Sequence, residues 1–333
     1  MDGTARKERG RARGICFSAL SLLLSLGCAG VVAAQSYPVK PIRFIVAQAP
    51  GGPSDTLARA VAQKLTEVLG QPVVVENRSG AGGTVGTEIA AKAAPDGYTL
   101  LLASTSLAIN ASLYPKLPYD TLKDLAPVTV LEMGPYLIAV HPSLPVKSAK
   151  DLIALAKARP GQLNYGSGGS GTGPHMSMEL LKFGTGANIV HIPYKGAGPA
   201  MIDLIAGQVQ VQPVNILVGL PHVRAGRLRA LAVTTAKRSA AAPEIPTIAE
   251  TVLPGFNEGG HHGVVVPAGV LREIVARLHQ DIVKVLQSAD IKERLAAQGS
   301  EIVGNTPGEY GAMIRADIAK WAKVIQRTGI HAN

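Results

Sequence analysis

The chain has 333 residues, a formal net charge of +10, 47% hydrophobic and 4% aromatic residues, and two cysteines. That length and apolar content suffice for two ordinary domains, each with its own core. The positive charge is scattered and aromatic residues are few, which excludes a basic stripe with stacking platforms for nucleic acid and favours small anionic partners.

Residues 1–34 read as a secretory signal. Arg6, Lys7, Arg9, Arg11 and Arg13 form a basic start, Ile15 to Leu26 an apolar stretch, and Val32 and Ala34 the small residues before a cut at Gln35. The apolar stretch is too short for a membrane span. Ser25-Leu26-Gly27-Cys28 lacks the aliphatic residue that a lipoprotein box carries three places before its cysteine, which argues against a lipid anchor. The predicted cut removes Cys16 and Cys28, so no disulfide, thiol nucleophile or thiolate metal site is expected. It also removes five basic and two acidic residues, which lowers the charge from +10 to +7.

Strand and helix then alternate. Pro41 to Ala47 is a β-branched strand ended by a Pro-Gly-Gly turn, and 56–69 carries Leu57, Val61, Leu65, Val68 and Leu69 at helical spacing before Gly70. Val73 to Glu76 is a second strand, Ser79 to Gly86 a glycine turn into a helix ending near Ala94, and Tyr98 to Ala103 a third strand. Val128 to His141 is too long for one strand, is broken by Gly134-Pro135, and fits a connection between lobes. Ala149 to Ala158 is a helix, and another opens near Pro174. Ile189 to Pro193, Val209 to Val214 and Leu228 to Thr234 are strands of a second sheet, and Gly263 to Pro267 is the candidate return crossing. Val270 to Gln287 and Pro307 to Thr328 are helices expected on the first lobe. The pattern predicts two α/β lobes with doubly wound, mostly parallel sheets, the second inserted into the first: 35–132, 133–259 and 260–333.

Two helix starts stand out. Ala49-Pro50-Gly51-Gly52-Pro53-Ser54-Asp55 and Tyr165-Gly166-Ser167-Gly168-Gly169-Ser170-Gly171-Thr172-Gly173-Pro174-His175 each join a strand to a helix. A helix start offers unpartnered N–H groups and the positive end of the dipole, and glycines let a ligand approach, so each turn suits a carboxylate or phosphate. Ser167, Ser170 and Thr172 add hydroxyls to the second, although glycines serving only helix–strand packing remain an alternative. Open α/β sheets bind ligands at the carboxyl ends of their strands, which places both turns on one cleft.

Residues 166–171 also fit G-x-G-x-x-G, but the next strand ends His191-Ile192-Pro193-Tyr194-Lys195 without the acidic residue that a dinucleotide ribose needs. No nicotinamide or other cofactor is expected. Asp55 has two readings, support of its helix start or contact with ligand and water. Ser104 and Thr105 follow the third strand where side chains reach a cleft, and Tyr194 and Lys195 offer a phenol and an ammonium to the second wall. Arg78 reads more simply as a surface pairing residue. His261 and His262 are adjacent, so on a strand they face opposite ways and cannot share a metal. No H-E-x-x-H or G-x-S-x-G occurs, and no nucleophile–base pair is evident, so neither a metal nor catalysis is expected.

The motifs run through the whole mature chain. They include Tyr37-Pro38-Val39-Lys40-Pro41-Ile42-Arg43, the Ala-Pro-Gly-Gly-x-x-Asp turn, Gln71-Pro-Val-Val-Val-Glu-Asn-Arg78, Gly80-Ala-Gly-Gly83 and Pro95-Asp-Gly-Tyr-Thr-Leu100. Leu117-Pro-Tyr-Asp120, the Tyr-Gly-Ser turn ending in His175, His191-Ile-Pro-Tyr-Lys-Gly196, Leu231-Ala-Val-Thr234, Pro246-Thr247 and Trp321 complete the set. The sequence resembles the Bug, or TctC-like, family of solute receptors. The resemblance implies a two-lobed type II periplasmic-binding (Venus-flytrap) fold with two crossing strands, a periplasmic location and a monomer. It also implies a small carboxylate ligand: a di- or tricarboxylate, an amino acid or an aromatic acid. Pro50, Gly51 and Gly52 would hold the carboxylate, and Ser167 to Thr172 with Gly169, Ser170, Gly171 and His175 would answer from the other lobe. The implied partner is the membrane part of a tripartite tricarboxylate transporter. A sensor feeding a two-component kinase, or an enzyme on the same fold, are the rival readings.

Three positions depart from the family pattern. Gln48 stands where an aromatic is usual, Val211-Gln-Pro-Val-Asn215 where an acidic residue and a phenylalanine are usual, and Gly260-His261-His262-Gly263 where a tryptophan or other aromatic is common. These departures point to a ligand with a polar substituent or a second carboxylate.

Overall fold

The computed structural model describes residues 37–331; the expected signal segment and its cleavage site lie outside them. Strand β1 (Ile42–Val46) is central in a first sheet, parallel to β2 (Val73–Asn77) on one side and to β3 (Thr99–Ser104) on the other. Between them, helix α1 (Pro53–Leu69) buries Leu57, Val61, Leu65 and Leu69, the stripe read from its 3.6-residue spacing, and ends at Gly70. Pro53 at the first helical position removes an N–H that would have had no partner. A short 3-10 turn, Ala81–Gly83, leads into α2 (Thr84–Ala91). Helix α3 (Ser106–Leu113) follows β3 directly.

Strand β4 (Leu125–Val140) is one strand of 16 residues, where the sequence suggested a broken connection. It belongs to both sheets. Residues 125–135 pair with β9 (Gly259–Pro267) and the short β10 (Glu301–Ile302), whereas 136–140 pair with β7 (Val211–Asn215) and β8 (Arg229–Val233). Gly134-Pro135 therefore marks a change of pairing partner, not a break. Register shifts at Pro127/Thr129 and Val130/Glu132 give the strand the bends that a long twisted strand needs.

The second sheet continues from β7 to β5 (Asn164–Ser167) and β6 (Val190–Pro193), all parallel. Its helices are α4 (Ala149–Ala158), α5 (Gly173–Thr185), α6 (Ala197–Ile205), α7 (Ile216–Arg224) and the single-turn α8 (Ile248–Thr251). The return differs from the expected 263–267. The Glu258 N–H still donates to Thr234 O of the second lobe, and β9 is already paired with β4 from Gly259 onward, so the chain crosses at 258–259. Residues 263–265 lie inside the first sheet, between β3 and β4.

Helices α9 (Arg272–Leu286), α10 (Ala289–Ala297) and α11 (Pro307–Thr328) close the first lobe. Helix α9 packs on α1 and β4, and α11 packs on α3 and β4. Each lobe has its own core: Ile45, Leu101, Val130, Val265 and Tyr310 in the first, Ile138, Leu152, Tyr165, Met178 and Leu231 in the second.

Candidate functional site

On the first wall, β1 ends in Gln48 and the turn to α1. Gly51 sits at φ +79°, a left-handed conformation that disfavours any residue with a Cβ, and Gly52 begins the helix without a side-chain cap. Asp55 works inside this turn. Its Oδ2 accepts from the Gly51 N–H at 3.0 Å and its Oδ1 pairs with Arg59 at 2.9 Å. Burial pushes the Asp55 carboxyl up, but Arg59, the Gly51 N–H and Asn77 together hold it below the usual carboxylate range. Of its two readings, support of the helix start is the one these bonds favour.

The lobes touch. The turn at 49–52 faces the loop at 196–198, where a Cβ on Gly196 would come within 2.8 Å of the Ala49 nitrogen. Gly82, at φ +61°, lies so close to Ser170 that a Cβ would overlap its carbonyl oxygen. Tyr114 Oη donates to that same oxygen at 3.3 Å. Met176 of α5 packs with Ile109, Leu113 and Trp321 of the first lobe. The cleft is closed.

The second turn bonds mainly to itself. Ser167 Oγ lies 2.7 Å from His191 Nε2 and accepts from the Gly169 N–H, while Thr172 Oγ1 donates to Gly169 O at 2.8 Å. The Gly171 N–H donates to His175 Nδ1 at 3.3 Å. His175 stacks on His191 at 4.3 Å, and His191 on Tyr165 at 4.8 Å. Burial pushes the two imidazoles down to about 4 for His175 and about 3 for His191, so both are neutral near pH 7. Ser170 Oγ is buried without a partner.

Between the walls lies a cavity of about 30 Å³, room for about one water molecule, so a larger ligand enters only when the lobes part. Five helices begin at it: α1 at Pro53, α3 at Thr105 and Ser106, α5 at Thr172 to Pro174, α6 at Ala197, and α7 at its cap Asn215. Four of these starts have no side-chain cap; only Asn215 caps its own helix, accepting from the Leu217 N–H. No Lys, Arg, Asp or Glu lines the cavity. With no charged side chain in the lining, the helix starts are the main source of polarity there, and their dipole ends favour an anion.

Tyr136 and His261 are among the other lining residues, with Gln48, Ser104, Gly168, Gly260 and His262. The Tyr136 ring stands between Gly173 and Gly260, and a Cβ at Gly173 would overlap its hydroxyl. The His261 N–H donates to Thr105 Oγ1 at 3.1 Å, and its ring meets Tyr310 edge-on. Burial first, and then His262, push His261 down to about 3. The Asp317 carboxylate 4.0 Å from its Nδ1 thus faces a neutral ring, and the pair carries no ionic attraction. A larger cavity of about 400 Å³ adjoins, shares Thr105, Gly260 and His261, and is lined by charges of both signs, including Lys320, Asp317 and Glu258.

Among the residues singled out from sequence, Gln48, Ser104, Thr105, Thr172, Asn215 and His261 come together at the cavity. Gly169, Ser170, Tyr194 and Lys195 line a neighbouring space of about 190 Å³ that Gln48 also reaches. Pro50 and Gly51 are exposed at the rim, and Gly52 is buried against the Gly198 loop. Asp55, Ser167, Gly171 and His175 hold their own turns. Tyr194 Oη donates to Asp203, and Arg78 pairs with Glu76, both away from the cavity. Sequence reasoning missed Tyr136 and the helix starts of α3, α6 and α7 as a set. Each start was visible as a strand followed by Thr105, Gly196 or Asn215, residues that favour or permit a helix start.

The family model described as the tripartite tricarboxylate transporter family receptor, TctC, matches residues 57–330. Protein BugT of Bordetella pertussis is 43% identical over 309 residues, covering 92% of this chain and 95% of its own. Among solved structures, Rhodopseudomonas palustris Rpa4515 with adipate aligns with a TM-score of 0.86 at 37% identity, covering 89% of this chain and 99% of its own. MatC of the same organism with bound malate aligns at 0.84 and 31% identity, covering 87% and 100%. The two lobes, the shared crossing strand and the cleft ringed by helix starts are those of a solute receptor, and the chain belongs to the TctC family of tripartite tricarboxylate transporter receptors.

Proposed function

We propose that this receptor closes on a small organic carboxylate in the periplasm and presents it, unchanged, to the membrane components of a tripartite transporter. The observation that carries this reading is the convergence of five helix starts on a cavity with no charged side chain. Such a site attracts an anion without a counter-cation and stabilises carboxylate oxygens with backbone N–H groups. The adipate and malate held by two relatives of the same family support a dicarboxylate. The polar character of Gln48, Asn215 and His261 favours a second carboxylate or another polar group over a plain aromatic ring. Because the cavity here holds about one water, the liganded form would be closed less tightly than this structure, and ligand would stabilise it by its preference for that form. The lobes are taken as 35–132 with 260–333, and 133–259.

Amide chemical shifts followed during titration with dicarboxylates test the location. The largest changes are expected at Gly52, Ser54 to Thr56, Thr105 to Leu107, Gly173, His175, Ala197 and Gly198, with the carboxylate recovered intact. Changes confined to the larger cavity around Lys320, or chemical conversion of the acid, would overturn the reading.

A further inference from the structure

Glu132 of β4 and His262 of β9 lie opposite each other in register and are 0% and 4% exposed. Glu132 Oε1 is 2.5 Å from His262 Nδ1, and His262 Nε2 is 2.9 Å from Ser54 Oγ. Ser54, itself 3% exposed, donates from Oγ to Gln48 Oε1 at 3.0 Å. Four side chains from four segments thus form one line, three of them buried, with Gln48 and His262 both lining the cavity.

Proton bookkeeping gives the line a direction. A serine hydroxyl has one proton. With that proton on Gln48 Oε1, Ser54 Oγ is left to accept from His262 Nε2. Gln48 Oε1 is then occupied, and its Nε2 has no hydrogen-bond partner among the described residues. A purely structural ion pair would have no need to continue through a serine to a carboxamide at the cavity wall.

We propose that Glu132, His262 and Ser54 are positioning residues that hold the Gln48 carboxamide with its NH2 group toward the cleft, and that Gln48 is a specificity-determining residue. The opposite orientation would aim a carbonyl lone pair at an anion. The held NH2 donates to an oxygen on the end of the ligand away from the first carboxylate, so the site selects a diacid or keto-acid over an acid with an alkyl or phenyl end. A donor left unpaired by the wrong ligand is the source of such discrimination. The ligand's identity as a carboxylate rests on the function proposed above; the relay itself does not.

Adipate and hexanoate, equal in length, are the probes. Calorimetry on the wild type and on Gln48→Leu, Ser54→Ala and His262→Gln gives the ratio of the two dissociation constants, with each variant's unfolding temperature recorded to establish folding. Gln48→Leu is expected to lower the diacid preference about tenfold. Ser54→Ala and His262→Gln shift it the same way, and Ser54→Ala combined with Gln48→Leu loses no more than Gln48→Leu alone. An unchanged ratio in folded Gln48→Leu protein, or losses that add in the double variant, would overturn the proposal. If the wild type binds neither acid, the selectivity arm fails for this pair of probes, and the ligand-free arm decides the relay. The Gln48 side-chain amide should be ordered in wild type by 15N relaxation and released in Ser54→Ala; equal mobility in both refutes the relay.

Discussion

The turn at 49–53 leaves its helix start open toward the cleft, whereas the turn at 166–173 is tied down from within. In the first, Asp55 accepts from the Gly51 N–H behind the turn, Ser54 bonds away to Gln48 and His262, and Gly51 has open space around it. In the second, Ser167, Thr172, His175 and His191 bind the backbone or one another, and Gly82 and Asn110 of the other lobe press against it. Two glycine turns before helices thus serve different ends. The first presents N–H groups, and the second supplies a face on which the lobes close, because its Ser167 and Thr172 hydroxyls are held within the turn.

The sharpest way to break that contrast is a pair of alanine substitutions. Gly82→Ala places a Cβ against Ser170 O and should block closure, weakening carboxylate affinity by about 100-fold, with a stability cost of about 1–2 kcal/mol from its left-handed backbone. Gly51→Ala pays the same backbone strain but meets no atom within 4 Å, so its affinity should change by less than about tenfold. Equal losses in calorimetry would erase the distinction between the two turns.

The buried imidazoles of the second turn give the next largest effect. His175 is held down to about 4 from 6.5 and His191 to about 3, so the unfolded chain binds more protons than the folded one between those values. Their contribution is complete above pH 6.5 and is lost as pH falls from 6.5 toward 4. Stability should drop by on the order of 2 kcal/mol over that interval, and His175→Gln should flatten the slope in urea melts. A slope that His175→Gln leaves unaltered would show that the stack does not hold these rings neutral.

Asp55 tests the first turn in a lower window. Its carboxyl is held below the ordinary value, so its stabilisation is present above about pH 4 and is lost as pH falls further. Asp55→Asn should cost about 1–2 kcal/mol at pH 7 and reduce the acid sensitivity below pH 4. A variant as stable as wild type at pH 7 would deny Asp55 its role as support. The smallest effect belongs to Lys195, which is exposed and lies outside the cavity ringed by helix starts. Lys195→Ala should change carboxylate affinity by less than about threefold at physiological salt, where screening is strong; a larger loss would mean that side-chain charge, not backbone, holds the anion.

Helices with one apolar face were legible: 149–158 and 307–328 match the structure end to end, and the latter is bounded by the Thr306/Glu309 capping box and Gly329. Ser106–Leu113 was not, because most of its residues are buried on every side and no 3.6-residue stripe exists to read. The reading of 128–141 as a connection between lobes matches the pairing of β4 with both sheets, but its continuity through Gly134-Pro135 was missed, because strand length is limited within one sheet. Sequence left Asp55 open between helix-start support and ligand contact, and offered Ser167 as a ligand hydroxyl with packing of its turn as the alternative. Whether a hydroxyl or carboxylate faces a cleft or its own turn depends on Arg59 and His191, fixed only by the tertiary fold. The Glu132–His262–Ser54–Gln48 line spans segments far apart in sequence, so no spacing pattern reveals it.

The central claim is that backbone helix starts make this cleft a carboxylate site. The most direct measurement is calorimetric titration of the mature protein with C3 to C6 mono-, di- and tricarboxylates beside the corresponding amides and amines. The account predicts that at least one carboxylate binds with a dissociation constant in the micromolar range or tighter, that its neutral amide does not, and that the acid is recovered unchanged. Tight binding of an amine or a neutral amide, with no carboxylate bound, would contradict it.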